Sequence, residues 1–268
     1  MHPNHEYLLD VASGFTSTNP GCSILDFGCG TGATVVEGRR RGLDIVGVDR
    51  FYEGASRKTD ALRSGVLGTS VLEMADDHIP FPDDTFDFVM ANEVFEHVEH
   101  LTPVVHDIGR VLKPEGTMIA IFPSREVIRE GHIGIPLVHR LPRGRLRLGF
   151  TELMALLGLG YHRQGRSATE WSRAELEWLD RFVYYRPTYE IYRIMERQGF
   201  RVTHSEHRYL RYRLSKSRLP LKRIPRNPIV DHALDLTCRL ALGLVLTCVR
   251  VPANDGAKAA SKREVTEP

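Results

Sequence analysis

Short runs of uninterrupted apolar residues alternate along this chain with longer stretches in which apolar positions recur every third or fourth residue. The runs at about 23–27, 44–48, 70–74, 86–91, 117–122 and 200–206 predict strands, and the periodic stretches near 3–13, 33–41, 54–64, 101–111 and 187–198 predict helices between them. Strands that are apolar throughout fit a parallel sheet covered on both faces. The expected fold is therefore α/β: a doubly wound, Rossmann-like, mostly parallel sheet. Pro114-Glu115-Gly116 predicts a tight turn in which Pro114 stops a helix and Gly116 supplies the unusual backbone angles.

The alternation lapses twice. Residues 124–182 are too many for a structureless loop, and Leu146–Leu159 and Arg173–Tyr185 carry helical periodicity, so a helical cap insertion is expected there. The insertion opens with Glu130-Gly131-His132-Ile133-Gly134, whose imidazole and carboxylate suit the wall of a substrate pocket or, equally, a solvated hinge. Later, His207 to Arg226 holds eight basic residues and no acid, and Ile229–Val251 predicts an amphipathic helix whose apolar run, 240–246, falls short of the roughly 20 residues of a membrane span. The organisation read from the chain is a core over 1–123, the helical cap over 124–182, the end of the core over 183–206, a basic segment with a C-terminal amphipathic helix over 207–251, and a disordered tail over 252–268.

Charge divides the chain in the same way. Residues 1–120 carry 9 Lys/Arg against 19 Asp/Glu, and residues 121–268 carry 27 against 15, within a net charge of only +2. A basic second half points to an anionic partner: a phosphorylated or carboxylated small molecule, a membrane surface, or nucleic acid; solvated Arg-rich helices explain the same imbalance without one. A basic stretch followed by an amphipathic helix suits peripheral membrane contact, and a terminal helix packed on the sheet or on a second copy is the alternative. Met1–Asn19 is polar with no signal-peptide pattern, which gives a cytoplasmic address, with the inner membrane face as the place of any peripheral contact. Cys22, Cys29, Cys238 and Cys248 have neither metal nor redox spacing.

The chemistry concentrates after the first strand. Ile24-Leu25-Asp26-Phe27 runs into Gly28, Gly30 and Gly32, where glycines let the backbone turn sharply and approach a ligand closely. A second strand ends in Asp49, 21 residues beyond Gly28, where a carboxylate can take both hydroxyls of a ribose. Gly28-x-Gly30-x-x-Ala33 also satisfies a dinucleotide fingerprint. Asp26 beside the loop argues the other way, because its charge repels a pyrophosphate and suits a cationic ligand.

The run Asp26-x-Gly28-x-Gly30-x-Gly32 resembles motif I of the class I S-adenosylmethionine-dependent methyltransferases. Val46-Gly47-Val48-Asp49, Ile79-Pro80-Phe81-Pro82-Asp83, Leu112-Lys113-Pro114-Glu115-Gly116 and Gln198-Gly199-Phe200 resemble later landmarks of that family, in the family's order. The resemblance implies that Gly28, Gly30 and Gly32 pass beneath the methionine and ribose of the cofactor, that Asp26 faces its cationic end, and that Asp49 holds the ribose. It further implies Asp76 for the adenine amino group, with Asp77 as the alternative, and Asn92 at the end of the fourth strand as part of the cofactor site.

Asn92-Glu93-Val94-Phe95-Glu96-His97-Val98 is similar to the Glu-x-x-Glu-His-Val segment of the ubiquinone-type O-methyltransferases. Two uses are expected of it. His97 takes the proton of a hydroxyl acceptor with Glu93, four residues earlier, orienting its ring; or Glu93, Glu96 and His97 hold a divalent metal that acidifies the hydroxyl. A structural or gating role is the third reading. The absence of an Asn-Pro-Pro-Tyr or Asp-Pro-Pro-Tyr sequence here disfavours the exocyclic-amino nucleic-acid methylases. The expected activity is methyl transfer to a small or lipid-linked, anionic acceptor at oxygen, with an RNA methyltransferase or a cofactor-binding module without catalysis as the alternatives.

Overall fold

The computed structural model describes residues 2–52, 57–76, 78–217 and 224–252; Asp77 and the tail expected beyond 252 lie outside the described residues. In chain order the elements are α1 (Pro3–Thr18), β1 (Ser23–Phe27), α2 (Ala33–Arg40), β2 (Asp44–Asp49), α3 (Arg57–Arg63), β3 (Val71–Glu73), β4 (Phe86–Asn92), α4 (Leu101–Val111), β5 (Leu112–Phe122), α5 (Arg145–Leu156), α6 (Ala168–Phe182), α7 (Thr188–Arg197), β6 (Phe200–His204), α8 (Glu206–Lys216), α9 (Pro228–Ala241) and β7 (Leu244–Arg250). They build a seven-stranded sheet in the order β3-β2-β1-β4-β5-β7-β6. β1, β2, β3, β4 and β5 pair in parallel, while β7 runs antiparallel to both β5 and β6. The doubly wound α/β fold read from the sequence is the fold observed.

Alternation along each strand sends side chains to two cores. Leu25, Phe27, Val89, Ala91, Met118 and Leu246 pack under α4 and α7 through Val104, Ile108, Ile191 and Met195. On the other face, Ile24, Ile45, Phe88, Met90 and Ile121 pack under α1 and α2 through Leu8, Leu9 and Val35. The insertion has a cluster of its own, in which α5 and α6 enclose the fully buried Trp171 with Ile133, Ile135 and Leu179. Ser167 and Glu170 close a reciprocal cap on α6, satisfying two backbone donors that the first turn leaves open.

Two expectations need correction. The amphipathic helix expected over 229–251 ends at Ala241, and residues 244–250 form β7 in the interior of the sheet. Gly243, at φ 124°, breaks the helix, and it must be glycine because a Cβ there would stand 2.6 Å from the Phe122 carbonyl oxygen. The apolar run is continuous because β7 is covered on both faces, which is the pattern of an internal strand and not of a lipid-facing helix. The expected turn at Pro114 lies inside β5 as an irregularity between the pairs Phe86 with Leu112 and Phe88 with Thr117, after α4 has already ended at Val111; its left-handed residue is Glu115, at φ 63°, while Gly116 serves by leaving room beside the Lys113 carbonyl. Because Leu246 is fully buried and joins β5 to β6, Leu246→Ala should destabilise the protein by about 2–5 kcal/mol in urea denaturation. A change below about 0.5 kcal/mol would show that β7 is dispensable.

Candidate active site

Ligands of open α/β sheets bind beyond the carboxyl ends of the strands where strand order reverses, here between β1 and β4. A cavity of about 480 Å³ opens there, and Phe27, Gly28, Asp49, Met74, Asp76 and Glu93 are on its wall. Gly28, at φ 73°, has no room for a side chain, because a Cβ would stand 2.3 Å from the Val94 methyl. Gly30 lies beneath the Arg57 side chain, and Gly32 begins α2 against Val66 and Val71. The loop is fixed by Asp49, whose Oδ2 accepts from the Gly30 N–H at 2.7 Å and whose Oδ1 accepts from the Phe51 N–H at 2.7 Å.

Asp26 is buried beside this loop, with no hydrogen-bond partner for its Oδ2 among the described residues. Burial, helped by the charge of Asp49, pushes its pKa up to about 7. An orphaned buried carboxylate in this position suits a cationic ligand. Asp76 lies on the cavity wall in the left-handed conformation, at φ 54°. Asn92 is turned away toward α1: its Oδ1 accepts from Asn4 Nδ2 at 3.0 Å, and its Nδ2 lies 3.2 Å from His5 Nε2.

After β4 the chain does not enter a helix at once. Glu93 is left-handed, at φ 53°, and a single 3-10 turn covers only Phe95–His97, so Glu93 and His97 do not share the helical face that their spacing suggested. The Glu93 carboxylate accepts from Asn4 Nδ2 at 3.1 Å, while His97 is oriented by the Phe182 carbonyl, 2.8 Å from its Nδ1. A carbonyl can only accept, which assigns the proton to Nδ1 and leaves the lone pair on Nε2. Burial, with smaller contributions from the charges of His132 and Arg57, takes the His97 pKa down to about 4. Glu96 is fully buried with no hydrogen-bond partner for either oxygen among the described residues, and burial together with the charge of Glu93 holds its carboxyl well above the usual range. Burial raises Glu93 as well.

The insertion completes the site. His132 Nδ1 meets Glu130 Oε1 at 2.7 Å, and Glu130 also accepts from the Tyr185 hydroxyl at 2.5 Å and the Ile133 N–H at 2.6 Å. Burial works against the Glu130 charge, but His132, Tyr185 and that N–H together hold its pKa below the ordinary value. A second cavity of about 580 Å³ shares Tyr52, Arg57, Glu93 and His97 with the first and continues past Arg129, His132 and Trp178. The His97 and His132 rings stand 5.1 Å apart, edge to face, with Trp178 5.3 Å from His132 and Tyr52 5.5 Å from His97. Sequence reading had reached Glu130 and His132 only as a loop of suitable chemistry. It missed Tyr52, Trp178 and Phe182, whose only sequence signal is the general periodicity of apolar and aromatic positions, and Arg57, one basic residue among many.

Comparison with known proteins gives this arrangement a family. The methyltransferase domain model matches residues 4–205. The ubiquinone biosynthesis O-methyltransferase of Salmonella paratyphi A is 33% identical over 97 residues, which are 36% of this chain and 40% of that protein. The sterol 24-C-methyltransferase erg6 of Schizosaccharomyces pombe is 36% identical over 115 residues, 42% of this chain and 30% of that protein; the matched regions thus span less than half of either relative. Among solved structures, an S-adenosylmethionine-dependent methyltransferase from Mesorhizobium loti aligns over 90% of this chain and 100% of its own, with 17% identity and a TM-score of 0.48. A geranyl diphosphate methyltransferase in complex with SAM aligns over 92% of this chain and 82% of its own, with 15% identity and a TM-score of 0.47. With the family model covering most of its length, the chain belongs to the class I S-adenosylmethionine-dependent methyltransferases.

Proposed function

We propose that this methyltransferase acts at oxygen on a small or lipid-linked, anionic acceptor held in the second cavity, with His97 at the seam between acceptor and donor. The observation that supports this most is His97 itself, a neutral imidazole with its lone pair on Nε2, lining both cavities. In the first cavity, Gly28, Gly30 and Gly32 form the floor for the cofactor, Asp26 faces its cationic end, Asp49 takes the ribose hydroxyls and Asp76 the adenine amino group, with Asn92 at the end of β4 held by Asn4 of α1. The cofactor, when bound, would supply an electrophilic methyl for in-line displacement by an acceptor oxygen, with S-adenosylhomocysteine as the leaving group, and His97 Nε2 would take the acceptor proton. Arg129 supplies positive charge to the second cavity, and Trp178 and Tyr52 supply flat apolar walls. The test is to incubate the purified enzyme with metabolite and lipid extracts and labelled cofactor. A product heavier by one methyl group on oxygen supports the reading; one methylated at carbon, as the name of the sterol relative would suggest, overturns the atom assigned.

The same residues also fit a divalent cation. Ligand atoms of Glu96, His97 and His132 lie within 4.8 Å of one another, and both imidazoles have their Nδ1 side occupied by a buried acceptor, Phe182 O and Glu130, as metal-ligating histidines do. A bound cation would lower the pKa of an acceptor hydroxyl. RNA is the weaker alternative: of the basic stretch, Arg211 is tied to Asp231 and Lys216 to Glu6, which removes part of the charge a phosphate backbone would need.

The lipid-linked form of the acceptor brings a surface with it. No helix among the described residues is long and apolar enough to cross a membrane. β7 is withdrawn from lipid contact by its place inside the sheet, but α5 exposes Leu146, Leu153, Leu156 and Leu157, each at least half accessible, with Arg143 and Arg145 at its start. α5 packs on α6, which carries Trp178 and Phe182 into the cavities. An apolar stripe rimmed by arginines fits peripheral contact with an anionic leaflet, and cytoplasmic action at the inner membrane face is part of this proposal. Wild-type protein should float with anionic vesicles, and the Leu153→Asp/Leu157→Asp double variant should remain in the pellet fraction while still binding cofactor. Equal flotation of the two proteins would rule α5 out.

A further inference from the structure

The donor's methionyl end is a zwitterion, and the site described so far answers only its positive charges. Asp49, Asp76, Glu93 and Glu99 are on the cavity wall, with Asp26 buried near Asp49 and Glu96 buried near Glu93, and none of these groups offers a positive charge to a carboxylate. Arg57, the first residue of α3, crosses the middle of the glycine loop: a Cβ on Gly30 would meet its Cδ at 3.0 Å and its Nη1 at 3.2 Å. Its side chain lines both cavities, and its charge reaches His5, Tyr52, Glu93, Glu96 and His97, the groups around the transferred methyl. No hydrogen bond or ion pair among the described residues engages its guanidinium. The other arginines on the donor wall stand elsewhere: Arg50 directly follows the ribose acid Asp49, and Arg181 lies over the Phe182 ring at 5.0 Å.

We infer that Arg57, lying over Gly30, binds the methionyl carboxylate of the cofactor, while Asp26 beside the loop takes the ammonium of the same zwitterion. The pairing rests on placing the donor in the cavity above Gly28. A guanidinium matches a carboxylate in two parallel hydrogen bonds, and at this position it also fixes the direction in which the sulfonium methyl points, toward the seam at His97. Charge near the Glu93 and Glu96 carboxylates is a second consequence: when the ligand carboxylate engages Arg57, less of its positive charge is available to them.

Two ligands separate this role from others. S-adenosylhomocysteine carries the amino-acid end, and 5′-methylthioadenosine has the same nucleoside and sulfur without it. In calorimetry, Arg57→Ala should weaken S-adenosylhomocysteine by about tenfold to a hundredfold, the range of a charge-assisted hydrogen bond, and leave 5′-methylthioadenosine unchanged. Arg57→Lys should recover part of the loss. An equal loss for both ligands would mean a structural or nucleoside role and would overturn the assignment. Unchanged S-adenosylhomocysteine affinity, with or without a raised acceptor KM, would also overturn it and would give Arg57 to the acceptor. If wild-type protein binds neither ligand, the placement of the donor fails first, and that result is distinct from every variant outcome.

Discussion

Replacing His97 by alanine is expected to lower kcat by about a hundredfold to ten-thousandfold, the usual worth of a positioned general base, while S-adenosylhomocysteine affinity changes little. The reason is geometric: the ring is fixed by the Phe182 carbonyl and presents Nε2 to the seam between the cavities, and among the described imidazoles His132 is the one in ring contact with it. His132→Ala is the informative companion. If His97 works alone as a base, losing His132 should cost far less than losing His97, since its ring would be only a neighbour. If Glu96, His97 and His132 hold a cation, the two variants should fall together, and chelator treatment of wild-type enzyme should reproduce both losses, with activity returning when a divalent metal is restored. A His97→Ala enzyme that turns over at the wild-type rate would exclude both uses and leave a structural role.

Asp49→Ala should weaken cofactor binding by roughly a hundredfold or more, because two charge-assisted hydrogen bonds at about 1.5–3 kcal/mol each are lost to the ribose. The effect has a second source on the protein side. Asp49 accepts the Gly30 and Phe51 N–H groups, so the variant also frees the loop on which the cofactor rests. Asp49→Asn, which keeps acceptor capacity on one oxygen, should fall between. A pH series adds an independent check through Asp26, whose pKa burial and the Asp49 charge hold at about 7. A cationic ligand prefers the ionised carboxylate, so binding lowers that pKa and releases a proton. Affinity should therefore rise as pH passes upward through 7 and fall below it, and the slope should shrink in Asp26→Asn. Asp49→Ala binding within about threefold of wild type, under 1 kcal/mol, would remove Asp49 from the ribose.

How much of this was legible in the sequence depended on whether a residue's role is set by local spacing. β1 falls on the residues read as the first strand, and α4 on those read as its helix, because short buried strands and amphipathic helices declare themselves through the period of their apolar positions. The glycine loop and Asp49 were legible for a related reason: a strand, a turn and a helix in succession fix their geometry over a few residues. Glu93 and His97 show where this ends. Their spacing of four residues implied a shared helical face, but a left-handed Glu93 and a late 3-10 turn send one to Asn4 of α1 and the other to the Phe182 carbonyl of α6. β7 failed for a different reason, since a short apolar run reads equally as a buried strand or a helix until its neighbours are known.

The sequence by itself determined the doubly wound sheet, the class of donor and the glycine loop at the end of β1, because each of these follows from periodicity or from spacing within one β-turn-α unit. Only the tertiary structure decided that residues 244–250 close the sheet, that Asn92 serves α1, and that Arg57, His132, Trp178 and Phe182 meet around His97. Those contacts join distant segments, 85 residues apart for His97 and Phe182 and 88 for Asn4 and Asn92. No local pattern encodes such a meeting, because it depends on how the insertion's own small core, built around Trp171, seats α6 against the end of the sheet.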